Sequence, residues 1–181
     1  MSRNLRIVFP DVIYHIGARG YEKNHIFRED KEKQHFLDIL KSASKQYGFL
    51  IHAYAIMGNH YHILAEIPGS CLSRAMHYIN MRYAKHYNTR HNRKGYVFER
   101  RYKAFVIQKG EAVKRQVQYI HMNPLRAGLE KKLGEYRWTS HKEYINPGAK
   151  GTAYSDYVLS LFGVDFKASV PEYERYMSTA R

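Results

Sequence analysis

Hydrophobic and polar positions along the chain alternate between two periods. VIYHIGARG (12–20) is rich in β-formers and stops at glycine, which predicts a strand with a turn after it. REDKEKQHFLDILKSASKQYG (28–48) places Phe36, Leu37 and Leu40 at helical spacing, with acids early and Gly48 at the end, so a helix is expected. FLIHAYAIM (49–57) and YHILAEIP (61–68) are two apolar strands joined around Gly58-Asn59, the pattern of a hairpin. Over residues 70–88 Leu72, Met76, Ile79 and Tyr83 form one stripe and Arg74, Tyr78, Arg82 and Lys85 the other, predicting an amphipathic helix with a basic outer face. Residues 95–108 read as one or two strands. Residues 110–124 read as a helix with Val113, Val117 and Ile120 on its apolar face and Pro124 at its end. The order β–α–β–β–α–β and then a helix predicts an α+β, ferredoxin-like antiparallel sheet backed by helices. Residues 129–181 read as an extension of loops and short helices, packed through Trp138, Leu159, Leu161 and Phe162.

Composition narrows the partners. The 181 residues fit one domain. Lys+Arg number 30 against 16 Asp+Glu, a net charge of +14, and the chain carries 17 Tyr and 8 Phe. A disordered basic tail would not hold so many rings, and cations together with rings point to nucleic acid. The densest basic region comprises Arg74, Arg82, Lys85, Arg93, Lys94, Arg100 and Arg101, interleaved with Tyr78, Tyr87, Tyr96 and Tyr102, on which unpaired bases could stack. A single cysteine, Cys71, excludes disulfide frameworks and cysteine-rich zinc sites. No apolar run approaches a membrane span, and residues 1–11 do not read as a signal peptide, so a cytoplasmic, nucleoid-associated location is expected.

Two clusters carry candidate chemistry. His60-Tyr61-His62 lies on a predicted strand, where residues two apart share a face, so both imidazoles point the same way. The spacing alone is weak, because 11 histidines in 181 residues produce a His-x-His by chance about 0.7 times. Tyr119 and Asn123 are one turn apart on the last predicted helix, with Gln116 on the same face. Taken together, two imidazoles and one amide oxygen leave open positions on a divalent cation, which would polarise a phosphate while a tyrosine hydroxyl attacks it. A phosphotyrosyl ester conserves the energy of the broken strand, so this pairing points to strand transfer rather than degradation. Glu66, on the same strand face, is a candidate acceptor behind an imidazole, and Gln116 is a second candidate in the outer shell.

These residues resemble a known family. AYAIMGNH followed by HYHILAEIP, with QYIHMNPLRAGL downstream, is similar to the single-tyrosine HUH transposases of insertion-sequence type, and most of all to the REP-associated tyrosine transposase branch. IYHIGARG, WTSHKEY and YVLSLFG look like this branch too, so the resemblance covers nearly the whole chain. It implies that His60, His62 and Asn123 hold Mg2+ or Mn2+. It further implies that Tyr119 forms a 5′-phosphotyrosine and leaves a free 3′-hydroxyl, and that the substrate is hairpin DNA with a short single-stranded guide. The implied layout is a catalytic domain over 1–128 and an extension over 129–181, acting as monomer or homodimer. Gly58, where proline is usual, and Tyr61, a polar-tipped middle residue, depart from the pattern without removing a ligand. A non-catalytic hairpin-DNA-binding regulator on the same fold is the alternative.

Overall fold

A computed structural model describes residues 12–68, 71–146 and 151–179; the signal-peptide expectation for residues 1–11 lies outside them. The strands are β1 (Val12–Arg19), β2 (Leu50–Ile56), β3 (His60–Ile67) and β4 (Lys103–Ile107). The helices are α1 (Asp30–Tyr47), α2 (Leu72–Arg90), α3 (Glu111–Arg126), α4 (His141–Ile145), α5 (Asp156–Ser160) and α6 (Phe166–Ser178). The strands form one sheet in the order β2-β3-β1-β4, with every neighbouring pair antiparallel. This is the expected ferredoxin-like α+β arrangement.

The side-chain period of two sorts the strands onto two covered faces. Tyr61, Ile63, Ala65 and Ile67 of β3 point to the face where Phe36 and Leu40 of α1 and Met76, Ile79 and Tyr83 of α2 build one core. Leu64 of β3 points to the other face, where Val113, Val117 and Ile120 of α3 build a second core with Ile13, Ala53 and Ala55. A bulge at His52 flips the alternation of β2, so Ile51 joins the first core and Ala53 the second.

Local chemistry explains most boundaries. The Glu32 carboxylate accepts from the Arg28 and Glu29 backbone amides, closing a capping box at the start of α1, and Gly48 ends that helix at φ 68°. Tyr61 is buried because its hydroxyl donates to Asn80 Oδ1 of α2 at 2.8 Å, so the polar tip is satisfied. Gly58 sits in close contact: a Cβ there would lie 3.1 Å from the His25 ring and would push it aside by a few tenths of an ångström, while the Gly58 carbonyl accepts from Ile26 and Phe27.

Three expectations need correction. Pro124 does not end α3, which continues to Arg126; proline this close to the C-terminus costs one helical bond, and Ala127 N–H still reaches Asn123 O at 2.9 Å. Only Lys103–Ile107 of the stretch 95–108 is a strand, because residues 97–99 make a single bridge to the end of β1, through Phe98 and Gly20. The C-terminal stretch contains a 13-residue helix, α6, capped by Asp165, which accepts from Ala168 N–H at 2.8 Å.

The described residues of the C-terminal stretch share the second core. Tyr144, Val158, Leu159, Tyr173 and Met177 pack there, with Leu161 and Phe162 at its margin, while Trp138 joins the first core. Residues 138–140 also cover the outer edge of β2, with Ile56 N–H donating to Trp138 O and Ser140 N–H donating to Tyr54 O.

Candidate active site

The register of β1 on β3 builds the site. His62 faces Gly17, His60 faces Arg19 and Leu64 faces His15, so His15, His60 and His62 all emerge on the α3 side of the sheet. Gly17 keeps the place opposite His62 bare; a Cβ there would sit 3.0 Å from the Tyr61 carbonyl. The His60 and His62 rings stand edge to face with centroids 5.0 Å apart. Tyr119, at the margin of the α3 apolar stripe and 42 % exposed, presents its ring edge-on to His62 at 5.5 Å and to His15 at 5.9 Å. The phenol and the imidazole pair thus meet across the sheet–helix boundary.

Each histidine is held through Nδ1. His62 Nδ1 lies 2.9 Å from His15 Nε2, and His60 Nδ1 lies 2.6 Å from Asn59 Oδ1. Burial lowers His60 to a pKa of about 4, helped by the Arg19 charge. Burial, and then the proximity of His15, His60 and Arg19, lowers His62 to about 3. Burial also lowers His15. All three rings are therefore neutral at physiological pH, the state in which imidazole ligates a metal. Among the described residues no group of three or more His, Cys, Asp or Glu is arranged to hold a metal ion. This face of the sheet instead presents two imidazoles with anchored Nδ1 atoms, and Asn123 lies one helical turn beyond Tyr119 on α3. Two neutral Nε2 donors and an amide oxygen fit a divalent cation with open positions.

The other sequence candidates fall into place unequally. Asn123 donates its amide N–H to the Tyr119 carbonyl at 2.9 Å, which occupies its nitrogen and leaves its oxygen free to turn outward. Gln116 is half-buried one turn before Tyr119 and makes no hydrogen bond to an imidazole among the described residues. Glu66 does not back His60 or His62: it pairs with Lys109 at 2.9 Å and lies 3.5 Å from His52, because Leu64 separates it from the pair along β3. Arg100 and Arg101 line a cavity of about 440 Å3 with His15, His60 and His62. Arg74, Arg82 and Lys85 are exposed on α2, and Arg93 and Lys94 on the loop after it. Tyr87 and Tyr102 are buried and offer no face to a base; Tyr96, 83 % exposed, does.

The sequence alone does not mark His15, Arg19, Lys103 or Asn59 as parts of one site. Arg19 and Lys103 line the cavity beside Arg100, Arg101 and Glu99, so four cations and one carboxylate surround it. Their signal was the strand end at Arg19 and the strand start at Lys103; the β1–β4 pairing sets Lys103 opposite Gly17, two residues before Arg19. A larger cavity of about 970 Å3, lined by Met76, Met81, Tyr96 and Phe98, shares Glu99, Arg100 and Arg101 with the first.

Residues 8–123, more than half of the chain, match the family described as IS200-like transposase. The chain belongs to this transposase family. Among solved structures it is similar to a REP-associated tyrosine transposase bound to a REP hairpin, with a TM-score of 0.68 and 15% identity over 85% of this chain and 91% of that one. That likeness shows the fold. A transposase candidate from Deinococcus radiodurans R1 overlaps at a TM-score of 0.46 and 17% identity, over 66% of this chain and 94% of that one. A tRNA(His) guanylyltransferase from Saccharomyces cerevisiae overlaps at 0.45 and 10% identity, over 97% and 81%. No curated protein matches the chain. Among the described residues, no helix of this transposase-family chain is long and apolar enough to cross a membrane.

Proposed function

We propose that this chain is a single-stranded DNA endonuclease and strand transferase that cuts beside a DNA hairpin. The observation that carries the reading is the Tyr119 ring against His62, a histidine that lines a cavity together with Arg19, Arg100, Arg101 and Lys103. Membership of a transposase family supports it, as does the fold shared with a protein bound to a REP hairpin. His60 and His62 through Nε2, and Asn123 through its amide oxygen, would hold Mg2+ or Mn2+. When bound, that ion supplies Lewis-acid polarisation of the scissile phosphate.

The chain's own residues do the rest. The four cations bind the phosphates flanking the cut and steer the strand into the cavity. Tyr119 Oη gives up its proton and bonds to phosphorus as the P–O3′ bond breaks. The departing 3′ oxygen takes a proton, and the 5′ end stays on Tyr119. A second 3′-hydroxyl reverses the step and joins strands. Residues 1–128 carry this chemistry, and 129–181 brace the helix that bears Tyr119. The protein acts on DNA of the nucleoid in the cytoplasm.

Incubating the chain with a hairpin oligonucleotide bearing a single-stranded flank and Mn2+ should give a covalent band on a denaturing gel. Y119F should bind the hairpin as the wild type does and give no such band. A persisting adduct removes Tyr119 as nucleophile, and hairpin binding by the wild type with no adduct makes the chain a DNA-binding regulator instead.

A further inference from the structure

We infer that His15 and Asn59 are positioning residues that fix His62 and His60 as Nδ1–H tautomers, so that both Nε2 lone pairs face the cavity. The inference rests on reading His60 and His62 as metal ligands.

For His60 the geometry leaves one assignment. The Asn59 amide nitrogen donates to the Lys23 carbonyl at 3.1 Å, which fixes the amide so that Oδ1 faces His60 Nδ1 at 2.6 Å. An amide oxygen only accepts, so the proton sits on His60 Nδ1 and Nε2 is bare. The Lys23 carbonyl is presented by a turn in which Glu22 and Lys23 have φ of 52° and 61°, a conformation unfavourable for residues other than glycine. Gly20 N–H donates to the Asn59 carbonyl at 2.8 Å and ties the same turn to the hairpin. Backbone strain is thus held at the spot that orients this ring.

For His62 one proton lies between two neutral rings 2.9 Å apart. Were it on His15, His62 would carry its own proton on Nε2 and direct an N–H into a cavity lined by four cationic donors against one carboxylate, Glu99, which already faces Arg100 at 3.7 Å. Placed on His62 Nδ1, it turns a lone pair toward those donors when no cation is bound, and toward the cation when one is. The latter arrangement is electrostatically matched in both states. It also makes His15 the acceptor, with its own proton on Nδ1. Outer partners of this kind fix ring orientation and raise ligand basicity.

Two measurements test this on the full chain. Long-range 1H–15N NMR of the metal-free wild type should show His60 and His62 as Nδ1–H tautomers; an Nε2–H signal on His62 would overturn the inference. Mn2+ titration followed by EPR should show H15A and N59A binding about 10–100-fold more weakly than wild type. H15Q, whose amide oxygen still accepts, should recover part of the loss, and thermal melts should confirm that each variant is folded. Unchanged Mn2+ affinity in folded H15A, with binding abolished in H60A, overturns the positioning role alone. Wild-type affinity in H60A overturns the ligand reading and the inference with it.

Discussion

A buried polar chain links α3 to α6, and it makes the fold acid-sensitive in a calculable way. Tyr54 N–H donates to Ser140 Oγ at 2.9 Å, and Ser140 Oγ lies 2.6 Å from His121 Nε2. His121 Nδ1 lies 2.8 Å from the Tyr173 hydroxyl, which is 2.6 Å from His141 Nδ1. One set of protons satisfies every member: Ser140 donates to His121, His121 to Tyr173 and Tyr173 to His141, with no carboxylate needed. Adding a proton to either ring breaks a link, and burial opposes the charge. Burial, then His141, lowers His121 far below its ordinary value; burial, then Lys142, lowers His141 to about 4. The unfolded chain takes up these protons near pH 6.5 and the folded chain does not. Stability is therefore complete above pH 6.5 and falls as pH drops from there toward 4. At pH 5.5 each ring costs about 1 kcal/mol by linkage, and almost nothing at pH 7.5. H141Q retains an acceptor for Tyr173 and cannot titrate. Urea unfolding at the two pH values should show the variant losing about 1 kcal/mol less than wild type on acidification. In a chain of this size that difference is about 2–4 °C in melting temperature. Equal losses in the two proteins would show that His141 titrates normally in the folded state and refute the buried chain.

Two further outcomes follow from other parts of the molecule. Y61F keeps the buried ring but removes the hydroxyl that donates to Asn80, and should lower stability by about 1 kcal/mol in urea unfolding; no change would mean that Asn80 finds water instead. R100A and R101A each remove a cation from the cavity wall. Each should flatten the salt dependence of single-stranded DNA binding by about 0.7 in log–log slope when read by fluorescence anisotropy, and an unchanged slope would take that arginine off the phosphates.

The elements themselves were legible because their periods were clean. The apolar run of β2, the alternation of β3 and the 3.6-residue stripes of α2 and α3 each predicted a burial pattern that the fold displays. What escaped was non-local. Nothing in IYHIGARG says that His15 lies diagonally across from His62; that follows from the β1–β3 register, which only pairing fixes. Glu66 looked like support for the imidazoles because it shares their face, yet Lys109, from the loop after β4, claims its carboxylate. Tyr87 and Tyr102 read as platforms for bases because cations flank them in sequence, but the helix turn and the packing of the 95–102 loop direct both rings inward. Helix α6 was masked by Pro171 within it and is recognisable only through its Asp165 cap.

The site lies where the second core stops. On the α3 face of the sheet Ile13 and Leu64 are buried beneath the helix, and one step along each strand the positions become His15 and His62. Val113, Val117 and Ile120 anchor α3 to the apolar half, each worth roughly 1.5–3 kcal/mol on burial, so Tyr119 is carried to the polar half by packing alone. From behind, Gln118 donates to the Tyr176 carbonyl of α6 at 2.6 Å, and His121 meets Tyr173 of the same helix. The position of the phenol is therefore fixed by aliphatic contacts on one side and by α6 on the other, independently of any ligand. A reaction that needs a hydroxyl held against one phosphate gains most from that kind of prior placement, because the entropy of positioning is spent during folding rather than during the chemical step.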